Sequence, residues 1–278
     1  MNTDSMMNSI AEAIEKTDTK NDSDYIGSDG LIYCGKCRTP KQKRISWFDG
    51  TEKVVGIRCA CELEKQKQEE EEKAKREKAA KIAENRAVGI PDAMMREYTF
   101  QNDDKANPKV TKIAKNFVNN FETFKANGKG IVFCGGVGTG KTYMASCIAN
   151  ALIDQGYTAL VTNFAKIVNT LSGMYQGKQD YIDRLCGYDL LVIDDLATER
   201  NTEYMNEIVY TIIDSRYRSH KPLIVTTNLS YGAIRNPNDV NKQRIYSRIT
   251  EMCYPVAVEG KDRRAENINL DLYNLLNK

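Results

Sequence analysis

The chain predicts an α/β fold in which five strands alternate with helices, with a small cysteine-bearing module ahead of it on a charged helix. Three observations predict this. The apolar run Gly130–Cys134 leads into a glycine-rich loop and then a stretch with helical spacing. Further short apolar runs at 158–162, 189–195, 223–228 and 255–258 are separated by helical patterns. Two close cysteine pairs, Cys34/Cys37 and Cys59/Cys61, stand apart from all of these.

Length and composition set the frame. A chain of 278 residues holds one large domain and a small one. With 40 basic and 38 acidic residues the formal net charge is +2, so any nucleic-acid contact must come from local patches. No run of about 18 apolar residues exists to span a membrane, and residues 1–25 carry no charged-then-apolar leader. A cytoplasmic protein is expected. In that compartment the eight cysteines serve as metal ligands or buried thiols rather than disulfides.

In order, residues 1–27 are polar and expected to lack structure, with Ile10–Ile14 a frayed amphipathic turn. Residues 28–61 form the module. Cys34, Cys37, Cys59 and Cys61 suit tetrahedral Zn²⁺, because each pair supplies two thiolates from one tight turn. Between the pairs, Arg44–Phe48 and Lys53–Ile57 read as a hairpin turning at Asp49-Gly50. So small a segment buries little apolar surface, and metal would supply the missing stability. Lys36, Arg38, Lys41, Lys43, Arg44 and Arg58 surround Trp47 and Phe48. That mixture suits nucleic acid or a protein partner equally. Residues 62–87, rich in Glu, Lys, Gln, Arg and Ala, read as a solvated helical linker without coiled-coil heptads.

The large domain is placed at 88–278, where Met94, Met95, Tyr98 and Phe100 bring a dense apolar cluster. A helical stripe over 109–126 (Val110, Ile113, Ala114, Phe117, Val118, Phe121, Phe124) reads as core. Then comes Gly135-Gly136-Val137-Gly138-Thr139-Gly140-Lys141-Thr142, a match to the phosphate-binding loop G-x-x-x-x-G-K-[ST]. Its glycines let backbone N–H groups curl around a polyphosphate. Lys141 neutralises charge, Thr142 reaches Mg²⁺, Tyr143 adjoins the nucleotide, and the following helix's N-terminus favours the anion.

Residues 164–186 form helical pieces around a polar loop bearing Tyr175 and Lys178, read as a surface turn in preference to a channel contact. The strand Asp189–Asp195 ends in two carboxylates, a Walker B pattern: Asp194 is assigned to Mg²⁺ and Asp195 to the attacking water. A helix over 202–218 turns Tyr204, Ile208, Val209, Ile212 and Ile213 inward, with Arg216 and Arg218 near its end. His220, the single histidine, reads as a solvated turn residue. The strand 223–228 ends in Asn228, whose amide can orient water against the terminal phosphate. Arg244 and Arg248 share one helix face.

Taken together, these motifs resemble the AAA+ ATPases, and among them the DnaC/DnaI-type replicative helicase loaders and their IstB-like relatives, over roughly 30–265. The blocks that carry it are the cysteine pairs, Gly89-Ile90-Pro91 with Tyr98-Thr99-Phe100, Gly135–Thr142, 190–199, 226–228, 244–249 and 251–256. The resemblance implies a parallel five-stranded sheet flanked by helices without a full carboxy-terminal lid, and ATP bound between subunits of a ring or spiral. It makes Asn228 a sensor, and Arg244, with Arg248 as substitute, the arginine finger. Arg264, beside Arg263, takes the second-sensor position, and Glu199 is a family acid without an assigned role. The function it implies is an ATP-driven loader of a hexameric, DnaB-type helicase onto single-stranded DNA. The alternatives are an IstB-like transposition helper and an ATP-binding adaptor with negligible hydrolysis.

Overall fold

Apolar runs without polar interruption belong to strands buried on both faces, and the central sheet is built from such runs. The computed structural model describes residues 21–47, 50–196, 202–237 and 239–263. The chain divides into two units, Met1–Ala79 and Ala80–Lys278, described in turn.

In the first unit, β1 (Tyr25–Ile26) pairs antiparallel with β2 (Ile32–Tyr33), and β3 (Gln42–Ser46) with β4 (Glu52–Gly56). The ordered pairing at β1 lies inside the span expected to lack structure. Its reason is Asp24, whose carboxylate accepts from the backbone N–H of Asn21 at 2.9 Å and of Gly35 at 3.2 Å. It also accepts from the Lys41 ammonium at 2.9 Å, and this bond holds the Asp24 carboxyl down at about 2. Helix α1 (Ala60–Gly89) begins at the second cysteine pair, earlier than the expected linker, and runs into the second unit. Its exposed middle carries i,i+4 pairs such as Lys65–Glu69 and Lys73–Glu77. Phe48 and Asp49, the predicted turn, lie outside the described residues, as does Ile10–Ile14.

The second unit begins within α1, at Ala80. A Cβ on Gly89 would lie 1.9 Å from the Ala159 carbonyl oxygen, so only glycine permits this approach. Arg86 pairs with Asp154, and Ile90 is fully buried. Helix α2 (Ala93–Arg96) follows, capped by Asp92. The expected single stripe over 109–126 is two helices, α3 (Pro108–Asn119) and α4 (Phe121–Ala126). The break falls at Asn120, whose side-chain amide donates to the Asn116 carbonyl at 2.8 Å and so competes with the helical ladder. The apolar stripe is core on both sides of the break.

Strands β5 (Gly130–Cys134), β6 (Ala159–Asn163), β7 (Leu190–Leu196), β8 (Leu223–Thr227) and β9 (Cys253–Ala257) form one parallel sheet in the order β6-β7-β8-β5-β9. Between them run α5 (Lys141–Asp154), α6 (Phe164–Ser172), α7 (Lys178–Gly187), α8 (Glu203–Arg218), α9 (Tyr231–Arg235) and α10 (Val240–Met252). Alternation along each strand feeds two cores. Ile131, Phe133, Val192 and Ile224 meet Phe117 and Ile148 on one face. Val132, Leu191, Ile193 and Val225 meet Ile167, Leu185, Ile212 and Ile249 on the other.

Two side chains of α8 depart from expectation. Tyr204, read as inward, is 45% exposed, because the helix begins at the Thr202 cap and its first turn lies outside the core. Arg216 is fully buried. Its guanidinium donates to the carbonyls of Cys186 at 2.9 Å and Tyr188 at 2.7 Å, and to that of Pro222. Burial pushes this guanidinium down to about 10. No described helix is long and apolar enough to cross a membrane.

Candidate active site and metal centre

The strands end together, so residues far apart in sequence meet at their carboxyl ends. The phosphate loop leaves β5 and enters α5 with φ of +71° at Gly138 and +96° at Gly140, a region that glycine occupies without a Cβ penalty. The Lys141 ammonium donates to the carbonyls of Gly135 at 3.1 Å and Gly136 at 2.6 Å, and to Asn228 Oδ1 at 2.8 Å. The Thr139 hydroxyl closes the loop on the Gly136 carbonyl at 3.0 Å. The basic group, the loop and the end of β8 thus share one point.

A second chain of bonds fixes the carboxylates. Asp194 is buried, and its Oδ1 accepts from the Thr142 hydroxyl at 2.7 Å and the Thr226 hydroxyl at 2.6 Å. Thr226 in turn accepts from the Asp195 backbone N–H at 2.9 Å. The β7–β8 register shifts between Ile193 and Leu196, and Asp195 takes φ +55°. That irregularity keeps Asp194 inward and turns Asp195 outward. Thr142 and Asp194 therefore present two hard oxygen donors side by side, the donor type Mg²⁺ takes in phosphate sites.

A cavity of about 480 Å³ opens above the loop, in the size range of small-ligand sites. Lys141, Thr142, Asp194, Asp195 and Asn228 line it, with Val137, Gly138, Gly140 and Tyr143. Gly135, Gly136 and Thr139 form the loop's other flank. The cavity is also lined by Asn102 and by Met94, Met95 and Tyr98, which the sequence marked only as a domain entry. Helix α5 holds that segment: buried Asn150 donates to the carbonyls of Met95 at 2.9 Å and Tyr98 at 3.0 Å. The Tyr143 hydroxyl donates to the Thr99 carbonyl at 2.9 Å, and its ring lies 4.9 Å from Tyr98. Burial pushes the Tyr143 phenol up. An apolar cluster at a domain boundary was the available signal.

Arg263 also reaches this cavity. Its backbone N–H donates to the Gly138 carbonyl at 3.1 Å, and its guanidinium pairs with Asp104 at 3.0 Å. Arg264 and Glu199 lie outside the described residues. Arg244 and Arg248, on α10, do not line the cavity of their own chain. Arg248 is held by Asp214 at 2.7 Å and by the Tyr210 hydroxyl at 3.0 Å, its guanidinium 4.8 Å from the Tyr210 ring centre. Arg244 is exposed, beside Glu203 and Glu207. Tyr175 is fully exposed in its loop, and His220 sits in a turn with φ +50°.

The four cysteines converge in the first unit, their sulfurs all within 4.8 Å of one another. Cys34 and Cys61 are 3.6 Å apart, and Cys59 and Cys61 3.3 Å. A tetrahedron with metal–sulfur bonds of about 2.3 Å has edges of about 3.8 Å, so the cluster fits Zn²⁺. The Thr39 hydroxyl, 3.1 Å from Cys37 Sγ, holds that thiol down at about 5, whereas the hydrogen bond with Cys59 pushes Cys61 up to about 12. Four sulfurs gathered at one point are the donor set that a bound cation would hold as thiolates.

The profile of IstB-like ATP binding proteins matches residues 62–269. An uncharacterised protein YdaV of Escherichia coli is 32% identical over 121 residues, 42% of this chain and 48% of that one. A replicative helicase loader DnaC of Buchnera aphidicola is 29% identical over 144 residues, 50% of this chain and 56% of that one. The replicative helicase loader DnaI of Bacillus subtilis is 23% identical over 180 residues, 60% of this chain and 58% of that one. The chain thus spans about half the length of these curated relatives. Among solved structures, a DnaC helicase loader matches with TM-score 0.52 and 23% identity, over 60% of this chain and all of that one. A putative primosome component of Streptococcus pyogenes matches with TM-score 0.55 and 20% identity, over 66% of this chain and 98% of that one. These two likenesses show a shared fold.

Proposed function

The chain belongs to the family of IstB-like ATP binding proteins, and from that premise we propose that it is an ATP-hydrolysing switch that delivers a hexameric, DnaB-type replicative helicase onto single-stranded DNA in the cytoplasm. One observation carries the enzymatic part. Lys141, Thr142, Asp194 and Asn228, from three strand ends, are joined by hydrogen bonds of 2.7–2.8 Å at the floor of one cavity. Names of relatives support the loader part, since two of them are called replicative helicase loaders.

In this reading the loop's N–H groups and Lys141 hold the outer phosphates of ATP, and Tyr98, Met94 and Met95 face the base. Thr142 and Asp194 would hold Mg²⁺, which when bound offsets charge on the phosphates. Asp195 takes the proton of the attacking water, and Asn228 orients that water while bound to Lys141. Phosphoryl transfer is governed chiefly by such positioning and charge stabilisation. A cation from a neighbouring copy in a ring or spiral completes the charge balance. Arg248, whose planar group is pre-oriented by Asp214, and Arg244, exposed on the same helix, are the residues for that role. Arg263 acts within the chain, and the four cysteines hold Zn²⁺.

Multiple-turnover ATPase assays with single-stranded DNA and helicase test the enzyme. Lys141→Ala should lower turnover at least about 100-fold, on the scale of losing one preorganised charge-stabilising group. Wild-type protein with no Lys141-dependent turnover under any condition would leave an ATP-binding adaptor. Arg244→Ala and Arg248→Ala, each mixed with a Lys141→Ala partner, identify the cation that acts across subunits. Native mass spectrometry with the host's replicative helicase tests the partner: a nucleotide-dependent complex is expected.

A transposition helper is the second reading. The family match at 62–269 favours it, because that span holds the ATPase and excludes all four cysteines. Binding to a transposase, with no helicase complex in any nucleotide state, would select it.

A further inference from the structure

We propose that one face of the β3–β4 hairpin is a single-stranded DNA contact, with Trp47 as the stacking platform and Lys43 and Lys53 as phosphate contacts. The register defines the face. Lys43 stands opposite Val55, and Ile45 opposite Lys53, and residues directly opposed in an antiparallel pair point to the same side. Trp47, two residues beyond Ile45, continues that side and bonds through its backbone N–H to the Thr51 carbonyl at 2.7 Å. The Lys53 ammonium lies 5.1 Å from the Trp47 ring centre, which confirms that both occupy this face.

Charge divides the two sides of the hairpin. On the other side, Arg44 is turned to the Asp29 carbonyl at 2.7 Å, and Ser46 stands opposite Glu52. The Trp47 side receives no carboxylate from either strand, among the described residues. Lys43 and Lys53 are both exposed, and Ile45 and Val55 between them are half-buried. An aromatic ring at the turn end, with Lys53 beside it and Lys43 further back along a shallow apolar strip, matches a backbone with a base splayed onto a π-face. A protein partner with a carboxylate rim is the competing occupant. The half-buried ring, beside a cation that also pairs with phosphate, favours nucleic acid.

The proposal rests on the loader reading for its choice of single-stranded DNA, and the two fail separately. Trp47 is the single tryptophan of the chain, so its emission reports this face alone. The full chain is titrated with a 5′-labelled oligo(dT) of about 15 nucleotides, a length spanned by the single-strand site sizes of small modules. Tryptophan emission and label anisotropy are recorded together over a salt series. Quenching that tracks the anisotropy is expected. Lys43→Ala/Lys53→Ala should weaken the quenching-linked affinity roughly tenfold and reduce its salt slope by about 1.4, the value for two lost single-strand phosphate contacts. Both lysines are exposed, and an unchanged thiol-reactivity profile of the four cysteines checks that the module stays folded.

Three results would overturn the assignment. Anisotropy could rise with Trp47 emission unchanged, which puts DNA on the ATPase domain and leaves the loader reading intact. The double variant could keep the wild-type affinity and slope. Emission could respond to helicase but not to oligo(dT), making the face a protein interface.

Discussion

Before residue 80 the buried apolar side chains, among the described residues, are those of Cys34 and Cys59; beyond it they fill both faces of a five-stranded sheet. The first unit compensates with polar order. Asp24 and Lys41 form a buried ion pair, and four sulfurs gather to one point. The second unit relies on area, with Phe117, Phe133, Ile148 and Leu190 at 2% exposure or less. The two units therefore differ in what their conformation depends on. On the proposed reading one is held by a bound metal, whereas the other is held by its own apolar surface.

Removing metal is the sharpest way to break this contrast. A strong chelator under reducing conditions should cost the first unit about 10 kcal/mol, the scale of structural zinc binding, and leave it unfolded. Hydrogen exchange on the full chain should show protection lost over residues 24–61 and kept over the sheet strands. Equal loss in both units would mean that they are not independently held.

The converse test acts on the sheet. Phe117 touches Phe121 and Phe124 at ring-centre distances of 5.7 and 4.7 Å. Phe117→Ala should lower the stability of the second unit by about 3 to 5 kcal/mol through lost contact and a cavity. Urea denaturation followed by circular dichroism measures this, and the reactivity of the four cysteines should not change.

Arg216 asks whether the second unit also depends on polar order. Arg216→Ala strips donors from the carbonyls of Cys186, Tyr188 and Pro222 and should cost about 3 kcal/mol, seen as a lower urea midpoint with an unchanged slope. Arg216→Lys should recover only part of it, because an ammonium cannot reach several carbonyls in one plane.

The smallest effect is expected at Asp189, which accepts from the Thr158 N–H at 2.9 Å and the Lys125 ammonium at 2.9 Å. Burial raises its carboxyl, but these bonds outweigh burial and leave it below the ordinary carboxylate range. A depressed folded-state value stabilises above the unfolded value of 3.8, and the contribution fades as pH falls through the folded value. Asp189→Ala should therefore cost about 1 kcal/mol at neutral pH. The difference from wild type should shrink below pH 3.8. A gap that persists undiminished into stronger acid would rule out the ionised form as its source.

The placement of the glycine-rich loop, Asp194, Asn228 and the cysteine quartet was legible in the amino-acid order because each arrangement is local. A glycine pattern makes its own cradle, a strand carries its last residue to the sheet's edge, and a close cysteine pair sets two thiolates in one turn. The five strands were legible for the same reason, since their apolar runs are contiguous. Tertiary structure decided the rest. Nothing in the run from Glu203 to Arg218 marks Arg216 as buried, because its partners are carbonyls from two other connections. Met94, Met95 and Tyr98 enter the cavity only because Asn150 and Tyr143 of α5 draw that segment over the loop. Arg248 gains its fixed orientation from Asp214 and Tyr210 on a neighbouring helix. Periodicity and motif spacing record what a residue does along the chain, whereas burial and hydrogen-bond partners depend on which distant segments fold around it.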